Sequence, residues 1–106
     1  MSNGTGISLI EAERKRQIAV EKFTSDHDDR HLEGELAGGA ASYAAFAQRQ
    51  IAEGPFKSVK GFPPGQTWRW DSEWWRLSED PLRNLVKAGA LIVAEIDRIL
   101  RERKAT

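Results

Sequence analysis

Apolar positions recur at helical spacing in three stretches of the chain. The first stretch follows Ser8, with Glu11 three residues later, a capping-box pattern that predicts a helix over about 8–22. One face of that helix carries Ile10, Glu13, Arg14, Gln17, Ile18 and Glu21, mixing polar groups among apolar anchors. Either this face is solvated and only Leu9, Ile10, Ile18 and Phe23 are buried, or Glu13, Arg14 and Gln17 line a polar cavity, where each would need a partner. The second stretch places Leu32, Leu36, Ala40, Tyr43, Ala44, Ala47 and Ile51 on a stripe and predicts a helix over about 31–53. The polar segment before it, residues 24–31, reads as a loop supplying an Asp or Ser cap. Gly38 and Gly39 each lower helix propensity by about 1 kcal/mol relative to Ala, and predict a slim surface for close packing or for a ligand. The third stretch is the clearest. Asp80 caps it, Pro81 sits at the first helical position, and Leu82, Leu85, Val86, Gly89, Ile92, Val93, Ile96, Ile99 and Leu100 form its stripe over about 81–103. Arg98, Arg101, Arg103 and Lys104 complement its C-terminal dipole.

Between Gly54 and Glu79 helical periodicity vanishes. Pro63-Pro64-Gly65 predicts a turn, and Trp68, Trp70, Trp74 and Trp75 crowd together soon after it. The predicted fold is therefore all-α: three main helices and a long Trp-rich irregular connection. Residues 1–7 form a flexible tail and 8–106 a single helical domain. Three helices in so short a chain bury limited area, so a bundle completed by a homodimer or higher homo-oligomer is expected.

Composition narrows the function classes. The chain has 106 residues, 16 Lys+Arg against 16 Asp+Glu, and no cysteine. Balanced charge argues against a broad nucleic-acid surface while leaving room for a compact anion pocket. Without cysteine there is no thiolate metal site and no thiol nucleophile. No apolar run approaches the ~20 residues that span a bilayer, and the first residues lack a signal peptide's basic and apolar parts, so a cytoplasmic protein without a membrane partner is expected.

Three kinds of chemistry remain. The indoles beside Arg69 and Arg76 suit a stacking platform for a base and its phosphate, or else a lid on a small core. Carboxylates could hold Mg²⁺, with Asp29 and Glu33 at the helical i,i+4 spacing. His27 and His31 share that spacing and could hold a transition metal with Asp28 or Asp29, bond within the loop, or titrate. A hydrolytic triad lacks its Gly-x-Ser-x-Gly turn, and neither phosphate-binding glycine motif is present.

Several segments taken together resemble a set of small uncharacterised phage and prophage proteins: Glu13-Arg14-Lys15-Arg16-Gln17, His27-Asp28-Asp29 with His31, Gly34-Glu35-Leu36, Ala40-Ala41 with Tyr43, the four tryptophans, and Arg83 to Ile92 continuing to Ala94-Glu95-Ile96. The resemblance spans about residues 8–101 and implies a phage or prophage origin, hence residence in a bacterial host. More distantly, the opening and closing helices resemble those of MazG-like all-α nucleotide pyrophosphohydrolases. That resemblance implies Mg²⁺ between paired acidic motifs, Glu-x-x-Glu and Glu-x-x-Asp; this chain has Glu33-Gly34-Glu35 and Glu95-Ile96-Asp97 in their place. The expected function is a small non-catalytic protein that binds a nucleotide-derived ligand or a host protein against host defence or metabolism, without a cofactor. Its ligand-binding candidates are Arg14, Gln17, His27, His31, Trp68, Arg69, Trp74, Arg76 and Lys87. The alternative is a Mg²⁺-dependent nucleoside triphosphate pyrophosphohydrolase with the metal on Glu13, Asp29, Glu33 and Glu95.

Overall fold

A computed structural model describes residues 4–54, 62–70 and 74–105. Among these the fold is all-α, with α1 over Gly6–Ala19, α2 over Ser25–Asp28, α3 over Glu35–Glu53 and α4 over Pro81–Ala105. None of these helices is long and apolar enough to cross a membrane.

α1 begins earlier than the Ser8/Glu11 pattern predicts, because Thr5 takes the capping role. Its hydroxyl oxygen accepts the Ser8 amide at 3.1 Å. Gly6 and Ile7 are consequently helical rather than part of a tail; residues 1–3 of that expected tail lie outside the described residues. α1 ends at Ala19, and the chain reverses through Lys22 at φ 64°, with the Phe23 amide donating back to the Gln17 carbonyl at 2.9 Å. The inward residues of α1 are Glu13 and Gln17, while Ile18 is exposed. Burying two polar residues is sustainable because both have hydrogen-bond partners within the fold.

The segment read as a loop contains the single turn α2, capped by Thr24, whose hydroxyl oxygen accepts the His27 amide at 3.3 Å. Its last residue, Asp28, is fully buried and salt-bridged to Arg14 at 2.5 Å. α3 then starts at Glu35, later than 31, because Gly34 adopts φ 81° and interrupts the helical path. Leu32 is left exposed. The capping group that Gly34 lacks comes from α4: Glu95 Oε2 accepts the Ala37 amide at 3.2 Å. α3 ends at Glu53, followed by Gly54 at φ 92°. Its Ile51 is also exposed rather than packed.

The core joins Leu36, Ala40 and Tyr43 of α3 to Ala88, Leu91 and Ala94 of α4. This face of α4 is not the predicted leucine and isoleucine stripe. Leu82, Leu85, Ile92, Ile96 and Leu100 are 41–53% exposed, whereas Asn84, Ala88, Leu91, Glu95 and Arg98 are buried. Alanines let the two backbones approach, and the polar residues among them are paired. Arg98 binds Glu95 at 2.6 Å. Asn84 donates to Gln50 Oε1 at 2.8 Å and accepts the Ser78 amide at 2.9 Å, tying the end of α3 to the start of α4. α1 crosses α4 where Ile10 fills the space above Gly89.

The Trp-rich connection packs against α3 at the glycine pair. Gly38 lies under the Thr67 carbonyl, and Gly39 lies under the Trp70 ring and Leu91. Its turn runs from Gly65 to Trp68, whose amide donates to the Gly65 carbonyl at 3.1 Å, just after the predicted Pro63-Pro64-Gly65. Trp68, Trp70 and Trp75 pack on the core, and Trp75 Nε1 donates to the Phe62 carbonyl at 2.9 Å. Trp74 is 40% exposed.

Candidate functional site

The polar face of α1, the turn at α2 and the Trp-rich connection enclose a cavity of about 410 Å³ between them and α4. That volume lies within the ~300–1,000 Å³ typical of small-molecule sites. Aromatic rings supply about half of its wall. Trp68 and Trp70 meet edge to face at 5.1 Å, Tyr43 meets Trp68 at 5.8 Å, and Phe23 stacks on His27 at 4.6 Å. His31 presents its edge to Trp70 at 5.6 Å. Trp74, half turned to solvent, stands 6.4 Å from Phe23. These edge-to-face and stacked contacts fix the rings in place, so their exposed faces are preorganised to stack on a planar guest.

Charged groups converge on the same space. Arg16, Lys22, Arg76 and Lys87 line it, against Glu13 and Glu21. Arg16 binds both carboxylates, Glu13 at 2.8 Å and Glu21 at 3.0 Å. Arg83 reaches Glu13 from α4. Burial alone would raise the Glu13 carboxyl, but the hydrogen bonds from Arg16 and Arg83 outweigh it and hold the group below the usual carboxylate range. Gln17 Nε2 lies 3.5 Å from Glu13 Oε2. Arg76 bonds Glu21 at 3.3 Å and lies over the Trp74 ring at 5.2 Å.

Lys87 is set differently. Its Nζ donates to the Arg76 carbonyl at 2.5 Å and sits 5.5 Å from the Tyr43 ring centre. Burial lowers its pKa first, and nearby Arg83 lowers it further. A carbonyl and a ring face satisfy an ammonium incompletely, which leaves Lys87 able to gain from a further, anionic contact. Tyr43, buried beside it, exchanges contacts with the backbone of residue 76, accepting the Arg76 amide at 3.1 Å; burial raises its phenol.

Among the sequence candidates, Gln17, His27, His31, Trp68, Trp74, Arg76 and Lys87 line the cavity. Arg14 does not, because the buried carboxylate of Asp28 holds it away from the lining. Arg69 is exposed and lies outside the lining. The residues that sequence reasoning passed over are Arg16, Glu21, Lys22, Phe23, Tyr43, Trp70 and Leu91. Trp70 stands two residues from Trp68 and carried the same aromatic signal; Tyr43 was hidden within the α3 stripe, and Leu91 lay to the side of the α4 stripe.

The carboxylates of the Mg²⁺ alternative are dispersed in function. Glu13 is held by Arg16 and Arg83, Asp29 by Arg101 at 2.7 Å, and Glu95 by Arg98, while Glu33 is exposed. Among the described residues no group of three His, Cys, Asp or Glu side chains stands together to hold a metal ion. No protein-family model matches the chain, and no curated protein or solved structure does either.

Proposed function

We propose that this chain is a small binding protein whose cavity takes a planar, anionic ligand of the nucleotide class. The observation that carries the reading is the pairing, in one cavity, of preorganised indole faces with four cationic side chains facing two carboxylates. Trp68, Trp70 or Trp74 would stack on the base, and Lys87 with Arg76 would meet the phosphate. In the phage or prophage setting that the sequence resemblance implies, such a protein would sequester a nucleotide-derived signal of the host; a host protein docking over Trp74 is the other form this reading allows. The pyrophosphohydrolase alternative has weaker support, since the carboxylates it needs are engaged by arginines or exposed. Catalysis by metal requires several of them free on one ion.

The test is a nucleotide panel with and without Mg²⁺, reading Trp fluorescence, thermal shift and product formation together. The expected result is quenching and stabilisation without turnover, both weakened at least tenfold by Lys87→Ala. Pyrophosphate release that requires Mg²⁺ would establish the alternative. A panel that moves neither fluorescence nor melting would remove the nucleotide reading.

The exposed stripe Leu82, Leu85, Ile92, Ile96 and Leu100 supports a second part of the proposal, a homodimer through α4. The stripe is crossed by α1 at Gly89, and the half-exposed residues on either side of that crossing leave apolar surface for a partner. The stripe's ends are of opposite charge, Glu79 and Asp80 at one and Arg101, Arg103 and Lys104 at the other. A second copy lying antiparallel would bring the acidic start of one helix to the basic end of the other, with the helix dipoles also opposed.

A further inference from the structure

We infer that His27 and His31 form a binding site for one divalent transition-metal ion of the imidazole-seeking kind, such as Zn²⁺, at the wall of the cavity. Their two Nε2 atoms lie 3.3 Å apart. Each ring is oriented from behind by a carboxylate: His27 Nδ1 lies 2.9 Å from Asp28 Oδ1, and His31 Nδ1 lies 3.3 Å from Glu35 Oε2. Asp28 is salt-bridged to Arg14. Glu35 in turn accepts the Glu33 amide at 2.7 Å through its other oxygen. With each Nδ1–H donating to its carboxylate, the Nε2 atoms are the ones left to meet a metal ion. Two ring nitrogens this close call for a shared proton or a cation held by both.

A metal ion fits that requirement. Two imidazole nitrogens at ~2.0–2.1 Å from a tetrahedral ion stand roughly 3.3 Å apart, so the pair needs little rearrangement to chelate. A carboxylate behind each ligating histidine is the arrangement that fixes the tautomer and raises the ligand's basicity. Phe23 stacked on His27 and the Trp70 edge against His31 keep the rings from turning away. Both histidines line the cavity, so the remaining coordination positions open into it for water or an anionic guest. Neutral imidazoles select Zn²⁺, Cu²⁺ or Ni²⁺ over Mg²⁺. This site stands on the histidine geometry alone and holds whether or not the cavity's guest is a nucleotide.

The test uses the full chain stripped of metal by a chelator and titrated with Zn²⁺ in a calorimeter. One ion per chain is expected, with affinity lowered at least tenfold by His27→Gln and by His31→Gln, and about tenfold by Glu35→Gln, which keeps an acceptor for the Glu33 amide. Circular dichroism checks the fold of each variant. A readout that needs no variant is the imidazole ¹⁵N spectrum, in which Zn²⁺ should shift the two Nε2 resonances and leave both Nδ1 protonated. Cu²⁺ should also quench Trp fluorescence, since Trp70 lies against His31. No saturable Zn²⁺ binding, equal competition by Mg²⁺, unchanged affinity in folded His31→Gln, or a spectrum showing a proton shared between the rings would each overturn the site.

Discussion

The carbonyl oxygen of Thr67 occupies the space in which a side chain on Gly38 would begin. The Trp-rich connection therefore rests on α3 by backbone contact, and the tryptophans of the cavity wall depend on a glycine in a helix. Gly38→Ala should gain about 1 kcal/mol from helix propensity and lose ~1–3 kcal/mol to overpacking, because the obstacle is backbone rather than a flexible side chain. The expected result is a net loss of about 1 kcal/mol in urea unfolding, with red-shifted Trp emission as the connection lifts. A more stable variant with unchanged emission would show that the connection moves freely.

Glu13 links α1 to α4 through Arg83 and to the cavity through Arg16. Its folded pKa lies below the ordinary 4.5, so the stability it contributes is fully present above that value. It is lost as pH falls through the lower folded value. Glu13→Gln should cost about 2 kcal/mol at neutral pH, since charged hydrogen bonds are replaced while both arginines keep partial contact with water. The variant should also show a shallower loss of stability below pH 4.5 than the parent, measured by denaturant titration across that range. Parallel acid limbs would indicate that other carboxylates govern the transition.

Lys22 adopts φ 64° at the reversal after α1. A left-handed conformation costs an L-residue with a side chain roughly 1–2 kcal/mol, a penalty glycine escapes. Lys22→Gly should raise stability by about 1 kcal/mol, partly offset by the greater freedom of glycine in the unfolded chain. The midpoint of chemical unfolding reads this directly.

Periodicity made α3 and α4 legible because it reports which residues share a face. It does not report which face the rest of the chain covers. In α4 Val86 of the predicted stripe is buried, but Leu82, Leu85, Ile92, Ile96 and Leu100 are about half exposed while Asn84, Ala88, Leu91, Glu95 and Arg98 are buried, a rotation that no count of hydrophobic positions reveals. α2 was illegible for another reason: a single turn with the sequence Ser25-Asp26-His27-Asp28 has no apolar period at all and exists through Thr24 and the buried Asp28. At the cavity, indoles and polar α1 residues announced themselves by type. Tyr43 did not, because a residue that closes a core and floors a cavity has the same spacing as one that only closes a core, and Leu91 lay off the predicted stripe altogether. Arg14 and Arg16 illustrate the limit further. Two positions apart on one helix, the first is spent on Asp28 and the second faces the cavity.

The outward stripe of α4 gives the last prediction. If a second copy covers it antiparallel, Leu82 of one chain approaches the partner's Leu100, and Leu85 approaches the partner's Ile96. Light scattering should give twice the 11.9 kDa chain mass. Ile96→Lys should yield a monomer of unchanged helicity, because a residue about half exposed in the single chain tolerates charge within ~0.5 kcal/mol. The chain has no cysteine of its own, so orientation can be read by oxidising a mixture of Leu82→Cys and Leu100→Cys chains. Antiparallel pairing joins unlike chains and leaves each single variant uncrosslinked when oxidised alone. Crosslinking of Leu100→Cys with itself would mean a parallel seam, and a monomeric parent protein would mean that the stripe receives some other partner.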